Sequence, residues 1–232
     1  MLNMSLGIPD PFRVRISAFS GGVKVTAESR PDVLVDRGGD AATTEDGSVE
    51  IGPRRPSGEV LVRCPVGADV MVGTQSGNIE LSGRFGSVAV TTQSGSIRVV
   101  RASDADLRTV SGTVELDECD GRCRISTTSG RIVVGATADV EVSTTSGSVS
   151  VDGSAGTVQV HSVSGSVTLA SSGLGGVKAT TVSGTITIRL PVGTRPAVRS
   201  TGGGTLRNSF DPGDDVLVEV ANVSGNVQLV PA

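Results

Sequence analysis

Thr144-Thr145-Ser146-Gly147-Ser148-Val149-Ser150-Val151 decides the fold, because the chain keeps returning to it. A Ser-Gly pair recurs at Ser76, Ser94, Ser111, Ser129, Ser146, Ser164 and Ser183, and once more at Ser224. The first seven follow one another at 18, 17, 18, 17, 18 and 19 residues. A near-fixed period of this length marks a repeat architecture, in which each unit buries its apolar face only against its neighbours.

Alignment on the serine sorts the residues into columns. Three residues after it stand Ile79, Ile97, Val114, Ile132, Val149, Val167, Ile186 and Val227; five after it stand Leu81, Val99, Leu116, Val134, Val151, Leu169, Ile188 and Leu229. The columns four and six before it are equally apolar, running from Val72 and Val70 to Val220 and Val218, with Cys123 among them. The residues between, such as Glu80, Arg98, Glu141 and Lys178, are mostly polar. Alternation with period two means strands with one face inward and one outward. The expected fold is therefore all-β, a single-stranded parallel β-solenoid (β-helix) with about 17–19 residues per turn. Gly turns the Ser-Gly corner, and the Thr or Ser two residues before each of the first seven serines can satisfy backbone groups that the bend leaves unpaired.

Composition agrees. Gly is 32 of 232 residues, aromatics are 2%, and Trp and Tyr are absent, so an ordinary globular core is excluded. Twenty basic and 24 acidic residues leave a net charge of −4 with the signs interspersed, and no basic stripe suggests a nucleic-acid partner. No apolar run is long enough for a membrane-spanning helix. Residues 1–11 carry no basic-then-apolar leader, and the cysteines, Cys64, Cys119 and Cys123, are odd in number. Both features point to a soluble protein in a reducing cytoplasm rather than to a disulfide framework.

The expected organisation is a flexible lead over 1–11, an irregular N-terminal cap of strands over 12–42, and the repeat domain over 43–232. A degenerate first repeat, Thr44-Glu45-Asp46-Gly47-Ser48-Val49-Glu50-Ile51, precedes a loop at 52–58. Residues 194–216 interrupt the rhythm before it resumes at Val218.

Thr127-Thr128-Ser129-Gly130-Arg131-Ile132, Thr144-Thr145-Ser146-Gly147-Ser148-Val149 and the preceding Pro65-Val66-Gly67 resemble the bacterial "putative adhesin" family of β-strand repeats, a domain of unknown function. The resemblance covers roughly residues 44–230, and it implies the repeat fold and, in some members, surface exposure. A weaker likeness is to bactofilins, β-helical proteins that polymerise end to end.

Candidate chemistry is sparse. The single histidine, His161, lacks a partner nucleophile or orienting carboxylate, so it reads as a solvated surface residue. Cys119 and Cys123 flank the variable turn, too few for a metal site without further ligands, with Cys123 in an inward column. Asp104, Asp117, Asp139 and Asp152 lack the spacing of a calcium-binding β-roll. Gly202-Gly203-Gly204 has no following Lys-Ser/Thr and so is no phosphate loop. Repeated hydroxyls raise the idea of an ice-binding face, whereas capping of the corner explains the same column. The sequence thus predicts no catalytic residue, no cofactor and no metal. It predicts a non-enzymatic scaffold that binds an unknown protein partner through its faces or ends. The alternatives are a cell-surface adhesin or envelope-stress component, and a self-assembling filament joined through its end turns.

Overall fold

The computed structural model describes residues 12–44, 47–53, 58–171 and 175–232. The lead at 1–11, Glu45 and Asp46 of the degenerate repeat, and most of the loop at 52–58 lie outside the described residues.

The described chain is all strand and turn. Before the regular repeats come β1 (Arg13–Ser20), β2 (Val23–Glu28), β3 (Leu34–Arg37), β4 (Gly39–Thr43), β5 (Val49–Pro53) and β6 (Val60–Pro65). The repeats form β7 (Asp69–Ser76), β8 (Ile79–Ser94), β9 (Ile97–Ser154), β10 (Val158–Ser171) and β11 (Val177–Leu190). Last come β12 (Pro196–Thr201), β13 (Thr205–Asn208) and β14 (Val216–Pro231). The long strands are extended backbone that bends at the glycine corners and continues. All fourteen belong to one open, mixed sheet. Among the described residues pairing is parallel through the repeats and antiparallel only at β3 with β6 and β4 with β5.

The register stacks equivalent positions. Val158 pairs with Val177 and Val177 with Val218, while Ser164 pairs with Ser183 and Ser183 with Ser224. All four apolar columns are buried from end to end. A third side of each turn adds one more inward residue, which the sequence alignment did not single out: Phe85, Ala102, Cys119, Thr137, Ser154 and Ser171, all buried.

The corner glycines stack on one another. Gly147 has φ +144°, and a Cβ there would lie 2.0 Å from the Gly130 carbonyl oxygen. The hydroxyls two residues before each of the first seven serines point inward. Thr92 Oγ1 donates to the Ser94 carbonyl at 3.1 Å, and the same bond recurs at Thr109, Thr127 and Thr181 at 3.2 Å. This column caps the corner from inside, as anticipated, and is buried, so it presents no ice-binding face.

Three aspartates recur with the 18-residue turns: Asp69, Asp104 and Asp139 stand seven residues before Ser76, Ser111 and Ser146. Each carboxylate accepts the backbone N–H of the equivalent residue one turn on, from Ser87 at 2.8 Å, Arg122 at 3.0 Å and Thr157 at 2.8 Å. The residue before each donor is a glycine, Gly86, Gly121 or Gly156, with no room for a Cβ beside that carboxylate. Each of these three turns thus carries a glycine held against the aspartate below.

Both ends of the stack are laid down out of sequence order. β1 pairs with β5 on one edge and β7 on the other, and β2 lies likewise between β6 and β8. Ser20-Gly21 therefore occupies the corner column, with Ser20 opposite Ser76 and Gly21 at φ +116°. Residues 13–28 are a regular turn rather than part of an irregular cap. The capping falls to β3 and β4, which run antiparallel over β6 and β5. At the other end β14 lies between β11 and the pair β12 and β13, so residues 196–208 form the outermost turn.

Candidate functional surface

Inside the stack, polar side chains serve the turns. Thr137 Oγ1 donates to the Asp139 carbonyl at 3.4 Å, and Ser154 Oγ contacts the Ala138 and Gly156 carbonyls at 3.1 and 3.3 Å. Corner serines link successive turns: Ser224 Oγ donates to the Val182 carbonyl at 3.3 Å. None of these hydroxyls is poised as a nucleophile, because each is tied to a backbone carbonyl. Asn222 takes the place of the threonine in the penultimate turn, is buried, and neither of its amide atoms has a partner. Gly202 and Gly204 pack directly over it; a Cβ on Gly204 would lie 2.5 Å from its Nδ2. The triple glycine thus clears space for the penultimate turn.

The cysteines differ from expectation. Cys119 and Cys123 are both inside the stack and are joined in a disulfide, with Cα atoms 6.6 Å apart. The bond spans the Asp120-Gly121-Arg122 corner, tying the third inward column to the one six before the serine. Cys64 is free and buried, and burial pushes its thiol up to about 11. His161 is exposed and lies in register with Ser143 and Thr180, away from any carboxylate in those pairings. Of the four aspartates weighed for calcium, Asp104 and Asp139 hold the next turn and Asp117 pairs with Arg98 at 3.2 Å. Asp152 accepts from Ser150 Oγ at 2.9 Å. Among the described residues no group of three or more His, Cys, Asp or Glu could hold a metal ion. No helix of the described residues is long and apolar enough to cross a membrane.

The outer faces carry two kinds of ladder. One is charged: five residues before the serine the stack carries Glu50 over Arg15, Arg124 over Glu141, and Lys178, Glu219 and Arg199 in turn, with opposite signs meeting at 2.8–3.9 Å. Lys24 with Glu80 at 3.2 Å and Arg98 with Glu115 at 2.6 Å do the same on the next face. The other ladder is apolar. Val163, Val182 and Val223 precede the corner serines of three turns that pair directly, and they are 48%, 48% and 66% exposed.

The comparison with protein families covers most of this repeat. A model of the Toastrack DUF4097 family matches residues 13–229. The chain belongs to that family. The match begins at Arg13, so the Toastrack unit takes in β1 and β2, in agreement with their place in the stack. No curated protein matches the chain. Among solved structures it is similar to a "putative adhesin" from Bacteroides fragilis, at 9% identity and a TM-score of 0.41, over 94% of this chain and 92% of that one. A "putative cell adhesion protein" from Clostridium sporogenes is similar at 8% identity and a TM-score of 0.20, over 95% and 92% of the two chains. The family resemblance expected from the sequence is thereby found.

Proposed function

We propose that the chain is a non-enzymatic β-solenoid scaffold that binds a protein partner through an outer face or an end, and that it needs no cofactor. The interior supports this reading, since its hydroxyls and the column aspartates are engaged in holding turns together. The observation that carries it is the strip formed by Val163, Val182 and Val223. Isolated exposed valines are ordinary, but three stacked on adjacent turns make a continuous apolar line of the kind that marks an interaction surface. The test is affinity capture from native cells with the parent chain and with V163S/V182S/V223S. A protein retained by the first and lost by the second, at equal melting temperature, supports the face. Identical captured sets remove it.

A second reading, an exported surface or envelope component, is favoured by the Cys119–Cys123 disulfide, because such bonds persist in oxidising compartments. It opposes the cytoplasmic placement expected from the odd cysteine count. Thiol trapping before reduction, on fractionated native cells, separates the two. Blocked cysteines in an envelope fraction support export, and alkylated free thiols in the cytosolic fraction support the cytoplasm.

A further inference from the structure

We infer that the outer edge of β13 takes up an extended segment of another protein, one whose side chains alternate apolar and acidic, as a further strand on the stack. The inference rests on the reading of the chain as a scaffold that binds protein through a face or an end, and it specifies one end and its occupant.

The two ends of the stack are finished differently. At one, β4 runs over β5 and leaves Val49 and Ile51 only 9% and 2% exposed. At the other, β12 and β13 form two sides of the outermost turn and residues 209–215 close the third. There the Gly213 N–H donates to the Pro196 carbonyl at 3.3 Å and the Asp215 N–H to the Arg195 carbonyl at 3.1 Å. Among the described residues nothing pairs with the outer edge of β13. Such an edge presents unpaired N–H and C=O groups, and an extended peptide is the ligand that satisfies them. β13 has neither a proline nor an inward-facing charge to discourage the pairing.

Two side chains of β13 define what the segment carries. Leu206 stands in register with Val227 and faces inward, in the column that includes Ile186. Val227 and Ile186, each covered by a further turn, are 1% exposed, whereas Leu206 is 37% exposed. The residue laid over Leu206 is therefore apolar. Arg207 stands in register with Gln228 and faces outward, at the end of the column that holds Lys24, Glu80, Arg98 and Glu115. In that column the other cations each meet a carboxylate of the adjacent turn, Lys24 with Glu80 at 3.2 Å and Arg98 with Glu115 at 2.6 Å. Arg207 has only Gln228, Thr187 and Thr168 beneath it and makes no ion pair among the described residues. The residue laid over Arg207 is therefore an aspartate or glutamate. Asp211, Asp214 and Asp215 of the same end fall on the third side, away from this position. A second copy of β13 would supply arginine where a carboxylate is called for, and like charges on adjacent strands repel.

Fluorescence anisotropy tests this on the full chain, with a labelled synthetic peptide of alternating valine and glutamate and its valine–lysine counterpart. The glutamate peptide is expected to bind more tightly, to weaken at about 1 M NaCl, and to slow amide hydrogen exchange over Thr205–Asn208. Arg207→Glu is expected to weaken the glutamate peptide on the order of tenfold and to turn the preference to the lysine peptide. Arg207→Lys is expected to keep the original preference. Binding of neither peptide, equal binding of both, a preference unmoved by Arg207→Glu, or exchange protection away from β13 would each overturn the inference. A chain that takes up neither peptide, yet captures a partner that V163S/V182S/V223S loses, overturns it alone and leaves the scaffold reading standing.

Discussion

Glu219 lies between Lys178 and Arg199, its carboxylate 3.9 Å from the lysine Nζ and 3.5 Å from the arginine guanidinium. Along the chain the two cations come first and the carboxylate last. Only the insertion of β14 between β11 and β12 restores alternating sign to the column. Glu219→Lys would stack three cations. Exposed pairs contribute about 0.2–1 kcal/mol each, so a loss on the order of 1 kcal/mol is expected at low salt. It should shrink at about 1 M NaCl, where screening acts over ~3 Å. Melting curves of both proteins across a salt series check it; a salt-independent difference would show that the column does not act electrostatically.

Asn222 is the one polar member of its column whose side chain makes no hydrogen bond in the described structure. Asn222→Thr would recreate the bond that Thr181 makes to Ser183 one turn away. Removing a buried unsatisfied amide and adding a neutral hydrogen bond should stabilise the protein by about 1 kcal/mol. Urea unfolding measures this directly, and a lower midpoint for the variant would be the contrary result.

Two glycines in consecutive segments should respond in opposite ways to the same substitution. Gly147→Ala places a methyl 2.0 Å from the Gly130 carbonyl, at a positive φ, whereas Gly153→Ala meets nothing within 4 Å. The first should cost roughly 3 kcal/mol or more, as backbone clashes do, and the second should stay within about 0.5 kcal/mol. Comparable denaturation midpoints for the two would refute the stacked-corner account.

Cys64 gives a pH dependence with a definite sign. Burial raises its folded pKa to about 11 from an ordinary 9.0. Below pH 9 both states keep the proton and stability is unaffected. Between pH 9 and about 11 the unfolded chain loses the proton first, so stability falls as pH rises. The total is on the order of 2 kcal/mol. Cys64→Ala should lack this component of the alkaline decline, and parallel pH–stability curves for the two proteins would contradict the assignment.

The regular turns were legible because their four columns are apolar in every copy, and the inward Thr column because its hydroxyls repeat beside each corner. Ser20-Gly21 escaped notice for lack of period, standing far ahead of Ser76, and its alignment exists only through the pairing of β1 with β7. The third inward column was hidden by chemistry: Phe85, Ala102, Cys119 and Ser154 share a position but no side-chain type. The Cys119–Cys123 bond was missed for the same reason, since Cys119 read as a turn residue until its column was known. The outer valines were not legible as a surface; their forming a strip depends on Val223 following Val182 in space across the 194–216 interruption.

The placement of β1 and β14, each with a strand on both edges, has a mechanical consequence. In an array that starts and finishes at its outermost turns, a pull on the chain peels one turn at a time. Here a load applied through β1 and β14 meets two ladders at once at either extremity, β5 with β7 and β11 with β12. Tension is thereby shared in shear rather than released by unzipping, and the stack should yield under force in one large event.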